Sequence, residues 1–395
     1  MTHSVQIEQI RAGDQLARSI YDAEGNLQLC FGFTLRESDI DFLNTSGFET
    51  VDIFSEPPPL DPEKLLREIV RNAMIRNVTL VEDATANELP ETLGREGIIS
   101  AVEASDVWRG AEPTKDALDS AKELLLHGVE EATPLLASLP KSTFGEEESK
   151  HLLDVAIDTL MLAITFDFPP RDLRSIVLAA LLHDIGKFIF PDLRNRPLES
   201  LEGFNALVMR EHPNLSAMLV RGIQPGPSDV QTAIQHHHEA FNGNGYPQGL
   251  NGIGSPPGVL RRSELGMMHR YAEILNLAND YAGFIDGTYN GTRRTPLEAA
   301  TLLVQGSGTL YNPFVVPELC SLVQRFPEGA MVNILSTSSG RYVGSSGVIS
   351  IAGGSDESNP VKQILLMRNA KGMVITTTEV DLSSERHVKL RLAEI

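Results

Sequence analysis

Five of the ten histidines, His183, His212, His236, His237 and His238, lie between positions 183 and 238, and His151 stands just upstream. Imidazole nitrogens mixed with carboxylate oxygens suit first-row transition metals such as Fe, Mn or Zn, whereas Ca or Mg prefers oxygen alone. The strongest piece is Leu181-Leu182-His183-Asp184-Ile185-Gly186-Lys187, an apolar run ending in adjacent His, Asp and, three residues on, Lys. Neighbouring helical residues are about 100 degrees apart, so His183 can bind one metal while the two oxygens of Asp184 bridge to a second. Gly186 permits a tight chain exit. A lone His-Asp pair at a helix end is more often a simple hydrogen-bonded pair; the company of the other histidines shifts the reading to a metal site.

The other pieces are weaker alone. His212, within Arg210-Glu211-His212-Pro213, reads as a surface histidine ahead of a proline-started helix. His236-His237-His238-Glu239 cannot place all three rings in one environment. The turn-rich stretch Asn242-Gly243-Asn244-Gly245-Tyr246-Pro247-Gln248-Gly249 carries an aromatic ring, and its plain interpretation is a connecting loop.

The elements that must position these groups are helical. Helices are expected over residues 151–165, 172–184, 203–222, 228–238, 263–281 and 296–304, with Phe168-Pro169-Pro170 as a helix stop and a glycine-rich loop over 242–258. Before them, residues 5–10, 16–20, 27–33 and 50–54 have strand character, residues 22–26 form a hairpin turn, and 36–43 look helical, which makes a small α+β unit closed by Pro57-Pro58-Pro59. Residues 61–139 are helical with polar interruptions, and the acidic stretch 114–139 reads as a solvated connector or partner-facing surface. After Pro327 the period changes to two, over residues 331–335, 342–351, 361–367, 373–378 and 388–392. The expected class is multidomain: a small α+β domain at 1–56, a helical connector at 57–140, an all-α domain at 141–326 and a small all-β domain at 327–395.

Composition narrows the function classes. The 395 residues hold 53 Asp and Glu against 33 Lys and Arg, a formal charge of -20, which argues against a nucleic-acid polymer as partner. The acidity is uneven. Residues 1–150 carry 29 acids and 13 bases, residues 151–250 carry 11 and 7, and residues 251–395 balance at 13 and 13. Cys30 and Cys320 are far apart and form no CxxC pair, which fits a reducing, cytoplasmic compartment. The N-terminus lacks the pattern of a signal peptide, and no stretch approaches the roughly 18 apolar residues of a membrane span.

In order along the chain, HDIGK, EHP, HHHE and NGNGYPQGL resemble the HD-GYP subgroup of the HD metal-dependent phosphohydrolases, over about residues 147 to 320. Residues 1–56, with Arg11 to Ala17 and Tyr21 to Gly25, resemble more weakly a small domain of unknown function that often precedes HD-GYP domains. The resemblance implies an HD-type helical fold. It implies two or three divalent ions, Fe or Mn, held by Glu147, His151, His183, Asp184, His212, His237 and His238, with Asp184 bridging and His236 as the extra histidine. It implies Lys187 as a cation beside the scissile phosphate and Tyr246 near the substrate entrance. The implied reaction is hydrolysis of cyclic di-GMP to pGpG, and onward to GMP, by a hydroxide bridging the metals, in bacterial second-messenger signalling. Partners would be cyclic di-GMP itself and GGDEF-type or other signalling proteins; a homodimer is compatible with the sequence.

Three departures bear on activity. Asn279 stands where the family places a ligand Asp, and Asp280, the next residue, is rotated about 100 degrees away on the helix. The phosphate-contacting arginines are displaced to Arg293 and Arg294. An extra segment over residues 258–269 brings Arg261 and Arg262, with Arg270 close by. Two functions follow: a cyclic di-GMP phosphodiesterase, or a catalytically impaired HD-GYP protein that binds cyclic dinucleotide or a partner as a sensor or adaptor.

Overall fold

The computed structural model describes residues 2–21, 27–29, 34–54, 89–111, 113–137, 139, 144–189, 196, 198–223, 228–259, 266–323, 331–352 and 361–392. Among them three apolar cores form, one for each kind of periodicity in the sequence.

The N-terminal core gathers Ile7, Ile10, Leu16, Ile20, Leu35, Leu43, Val51 and Ile53. Strand β1 (Thr2–Gln6) pairs antiparallel with β4 (Thr50–Phe54), and β2 (Ile20–Tyr21) with β3 (Leu27–Leu29); helix α1 (Glu37–Thr45) lies between. The first strand runs over Thr2–Gln6 and not over residues 5–10, because Ile7–Gln9 turns into a 3-10 helix. Of the expected hairpin strands 16–20 and 27–33, Ile20–Tyr21 and Leu27–Leu29 pair among the described residues, while the turn at 22–26 and Cys30 lie outside them.

The central core is all helical. It joins α2 (Arg95–Ala104), α3 (Asp106–Ala111) and α4 (Lys115–Leu136) to α5 (Glu146–Thr165), α6 (Pro170–Leu182), α8 (His212–Ile223), α9 (Ser228–His236), α10 (Arg270–Asp286), α11 (Pro296–Gln305) and α12 (Val315–Leu322). Helix α7 (Gly203–Arg210) sits just before α8. Local signals set the ends: Glu148 caps the Gly145 N–H at the start of α5, Pro170 opens α6, and Thr295 with Glu298 makes a capping box ahead of Pro296. Left-handed Gly287 closes α10.

The structure corrects the connector. Ile98, Val102, Val107, Trp108, Leu125 and Val129 are buried in the same core as α5 and α6, so the described part of 89–136 is one side of the helical body and not a solvated link. Its acidic residues outnumber its basic ones and give it a solvated look, because only one stripe of each helix turns inward. The expected helix over 203–222 is two helices broken at Glu211, and the expected start of α10 at residue 263 moves to Arg270.

The C-terminal strands β5 (Met331–Ser336), β6 (Ser346–Ala352), β7 (Val361–Arg368), β8 (Val374–Asp381) and β9 (Lys389–Leu392) make one antiparallel sheet in the order β8-β7-β6-β5-β9. Alternate residues Val332, Ile334, Ile349, Ile364, Leu366 and Val380 form its core.

Candidate metal centre

His183 follows the last turn of α6, Asp184 comes next, His212 opens α8, and His237 and His238 follow α9. Three of these rings are oriented by the same local bond. The Nδ1–H groups of His183, His212 and His237 donate to the carbonyls of Ala180, Met209 and Ile234, each three residues earlier, at 2.7, 2.6 and 2.6 Å. A neutral imidazole that donates from Nδ1 has only a lone pair at Nε2.

Those lone pairs converge. His212 Nε2 lies 3.2 Å from His237 Nε2, and they stand 3.1 and 3.5 Å from Asp184 Oδ1. Two imidazole acceptors and a carboxylate oxygen cannot bond one another; a cation between them resolves the repulsion. Asp184 Oδ1 and His238 Nε2 are both buried without a hydrogen-bond partner. Ligand atoms of Asp184, His212, His237 and His238 lie within 4.8 Å of one another, and so, in a second group, do those of His151, His183 and Asp184. Asp184 is common to both groups. The donor set therefore fits divalent transition metals.

Burial keeps three of the imidazoles in their ligand form. It lowers the His212 pKa, with help from the Lys187 charge, takes His237 down to about 3 and holds His238 well below the usual range. For Asp184 burial acts upward, but His183 and the Lys187 ammonium beside it prevail and hold the carboxyl well below its ordinary value. Lys187 Nζ donates to Asp184 Oδ2 at 2.6 Å.

The second group contains the departure read from the sequence. Asn279 Oδ1 faces His151 Nε2 at 3.2 Å and His183 Nε2 at 3.1 Å, so a neutral amide occupies the ligand position. Asp280 is engaged elsewhere, accepting from the Tyr311 hydroxyl at 2.6 Å. On the far side of His151, Asp286 meets Nδ1 at 2.7 Å. Burial lowers the His151 pKa, yet the hydrogen bond and charge of Asp286 raise it on balance. Asp286 fixes the ring, a role with no local sequence signal, since the two residues are 135 positions apart.

A cavity of about 580 Å³ opens onto these groups. Glu147 lies on its wall, exposed, and outside both ligand groups. Lys187, Arg196, Arg210 and Tyr246 also line it. Tyr246 stacks on His238 with ring centroids 4.7 Å apart, while the Arg210 guanidinium covers its ring at 5.3 Å. Arg210 and Arg196 are cations that sequence reasoning did not select; Arg210 stood beside Glu211-His212 in view, without a hint of its stacking.

Other expected residues are not brought to the cavity. Arg293 and Arg294 are absent from its lining; Arg293 Nε donates to the Asp286 carbonyl. Arg270 pairs with Asp172 and lies over the Phe168 and Tyr271 rings at 4.6 and 5.2 Å, which makes it a packing residue. Arg261 and Arg262 lie outside the described residues. His236 is in neither ligand group: its Nδ1 accepts from the His269 N–H at 3.1 Å and its Nε2 meets Gln248 at 3.3 Å.

Gly186 has a different purpose from the one its position suggested. Its φ is not left-handed, but a Cβ there would lie 2.4 Å from the His212 carbonyl oxygen and 2.8 Å from Ser216 N. The glycine lets the His183-Asp184 segment approach the backbone of α8.

Against known families, residues 133–315 match the HD domain. This bears out the recognition made from the motifs. Two curated relatives are a cyclic di-GMP phosphodiesterase of Pseudomonas aeruginosa, 32% identical over 35% of this chain and 33% of its own, and a cyclic di-GMP phosphodiesterase response regulator of Xanthomonas campestris, 37% identical over 22% and 23%. The chain thus spans about a third or less of the length of these relatives. Among solved structures, a HDG"Y"P protein of Bdellovibrio bacteriovorus aligns with 82% of this chain and 100% of its own at 19% identity and a TM-score of 0.38. No helix among the described residues is long and apolar enough to cross a membrane.

Proposed function

We propose that the HD domain is a metal-dependent phosphodiesterase acting on cyclic di-GMP, with pGpG as the first product. The observation that supports this best is the convergence of unprotonated His212 and His237 Nε2 atoms on Asp184 Oδ1, which leaves a cation-shaped need at the floor of a cavity bordered by cations. Divalent ions bound there would acidify a water for attack and neutralise the oxygens of the phosphodiester. The residues of the chain divide the remaining tasks. Asp184 is placed to share its two oxygens between the groups, and Asp286 holds His151 in line. Lys187, paired to Asp184, puts an ammonium where phosphoryl charge would develop. The Arg210–Tyr246–His238 stack forms a flat, cationic wall against which a guanine base or a phosphate can rest. The relatives named as cyclic di-GMP phosphodiesterases support the substrate class.

A second reading, an impaired protein that binds a cyclic dinucleotide without cleaving it, draws on Asn279 and on the capture of Asp280 by Tyr311. One assay separates the two. Protein loaded with Fe or Mn is expected to convert cyclic di-GMP to pGpG, and His183→Ala with Asp184→Ala to lose both turnover and bound metal. Bound metal without turnover across Fe, Mn, Zn and Ni would overturn the enzyme reading and leave the sensor.

A further inference from the structure

We propose that Arg18 and Ser19 of the N-terminal unit are positioning residues of the metal centre, clamping the helix that starts at His212 and the loop that carries Tyr246. The proposal rests on the reading above only where it concerns turnover. The buried Ser19 Oγ donates to Glu211 Oε2 at 2.7 Å, across 192 positions of sequence. Asn214 Nδ2 donates to the same oxygen at 2.7 Å, and the Glu211 carbonyl accepts from Leu215 N at 3.1 Å. Glu211 therefore ties the first turn of α8 to the N-terminal unit, and the next residue is His212. One residue earlier, Arg18 Nε and Nη2 both donate to the Pro247 carbonyl, at 3.2 and 3.1 Å and 229 positions away. Pro247 follows Tyr246.

Both ends of the clamp are rigid. Leu16 and Ile20, flanking Arg18 and Ser19, are buried in the core of the N-terminal unit, and Ala17 N–H donates to the Asp52 carbonyl at 2.8 Å. On the other side, Gln248 N and Leu250 N donate to the two carboxylate oxygens of Glu239 at 2.7 and 2.8 Å, and Tyr246 N donates to the His238 carbonyl at 3.0 Å. The loop is thus pinned from beneath by the residues that follow α9 and from outside by Arg18. Removing the outer hold leaves the inner bonds in place but frees the Tyr246–Pro247 corner, where the stack against His238 and Arg210 is made.

The test uses the full chain with Arg18→Ala, Arg18→Lys and Ser19→Ala, each compared with the parent for amide hydrogen exchange, metal content and steady-state hydrolysis of cyclic di-GMP. Arg18→Ala is expected to speed exchange over residues 242–251 and to raise KM about five-fold with kcat nearly unchanged, because a net hydrogen bond of ordinary strength is lost from the substrate wall. Arg18→Lys, which keeps one donor, is expected to recover most of both effects. Ser19→Ala is expected to speed exchange over residues 209–216 and to weaken metal retention. Parent-like exchange over both stretches in Arg18→Ala and Ser19→Ala would overturn the clamp. Arg18 is exposed, so its replacement remains a fair test even if Ser19→Ala fails to fold. If the parent itself does not hydrolyse cyclic di-GMP, the exchange and metal measurements still decide the clamp, while the substrate assignment falls separately.

Discussion

Replacing Gly186 with alanine should empty the metal centre without altering a single ligand. The new Cβ would stand 2.4 Å from the His212 carbonyl oxygen, against 3.4 Å for ordinary van der Waals contact, so about 1 Å must be opened between the two backbones. Ser216 N and Oγ, each 2.8 Å from the same point, close the alternative routes. None of the backbone atoms can rotate aside. Overpacking of this kind costs about 1 to 3 kcal/mol, and loss of the 2.9 Å bond from Gly186 N to Ser216 Oγ adds about 1 kcal/mol, which a domain of this size survives. The ligand geometry does not survive it. Metal–ligand distances tolerate roughly 0.2 Å, so displacing the start of α8 takes His212 out of reach of a metal held by Asp184 and His237. Metal retained after dialysis, measured beside the thermal unfolding transition, should fall to a small fraction of the parent value in a protein that still unfolds cooperatively. Turnover should drop on the order of a hundred-fold, as for misplacement of a reacting group by about 1 Å. A variant that keeps its full metal content and works within about three-fold of the parent would refute the reasoning.

Two further substitutions probe other consequences. Asn279→Asp puts a negative oxygen between His151 and His183, where the amide now sits 3.2 and 3.1 Å away, and is expected to raise metal occupancy and turnover together; unchanged occupancy would mean that this position is not limiting. Asp158 is buried, and burial, reinforced by the charges of Asp106 and Asp154, raises its pKa well above the ordinary value. A carboxyl of raised native pKa favours the folded state at low pH, and that contribution is lost as pH climbs from the unfolded value, about 3.9, through the native one. Asp158→Asn should therefore leave stability almost unchanged near the low end of that window and increase it by on the order of 1 to 3 kcal/mol above it, as read from denaturant melts at several pH values. A gain independent of pH would contradict the assignment.

Part of the candidate metal centre was legible by residue type, since His183 and Asp184 are polar groups at the end of an apolar helix, whereas His212, which alone reads as a surface histidine and is in fact buried, entered with His237 and His238 through the family resemblance. The helices that carry them were legible from apolar spacing, and the sheet from its period of two. What escaped was of two kinds. Some elements are amphipathic with a narrow apolar stripe, so α2 to α4 looked solvated although Trp108, Leu125 and Val129 close the main core. Other features depend on long-range proximity. Nothing near Asp286 points to His151, nothing near Gly186 points to the α8 backbone, and Arg210 is an ordinary helix-end arginine until Tyr246 is folded under it. Arg293 and Arg294 illustrate the converse error, where a residue type was right and its direction was not.

The hold of Arg18 on the loop that carries Tyr246 is made to the Pro247 carbonyl, a group of the main chain. A main-chain oxygen is present whatever side chain follows it, so neighbouring positions of the loop can change their chemistry without loosening the grip. The side chains that face the cavity can therefore be exchanged without touching the link to the N-terminal unit.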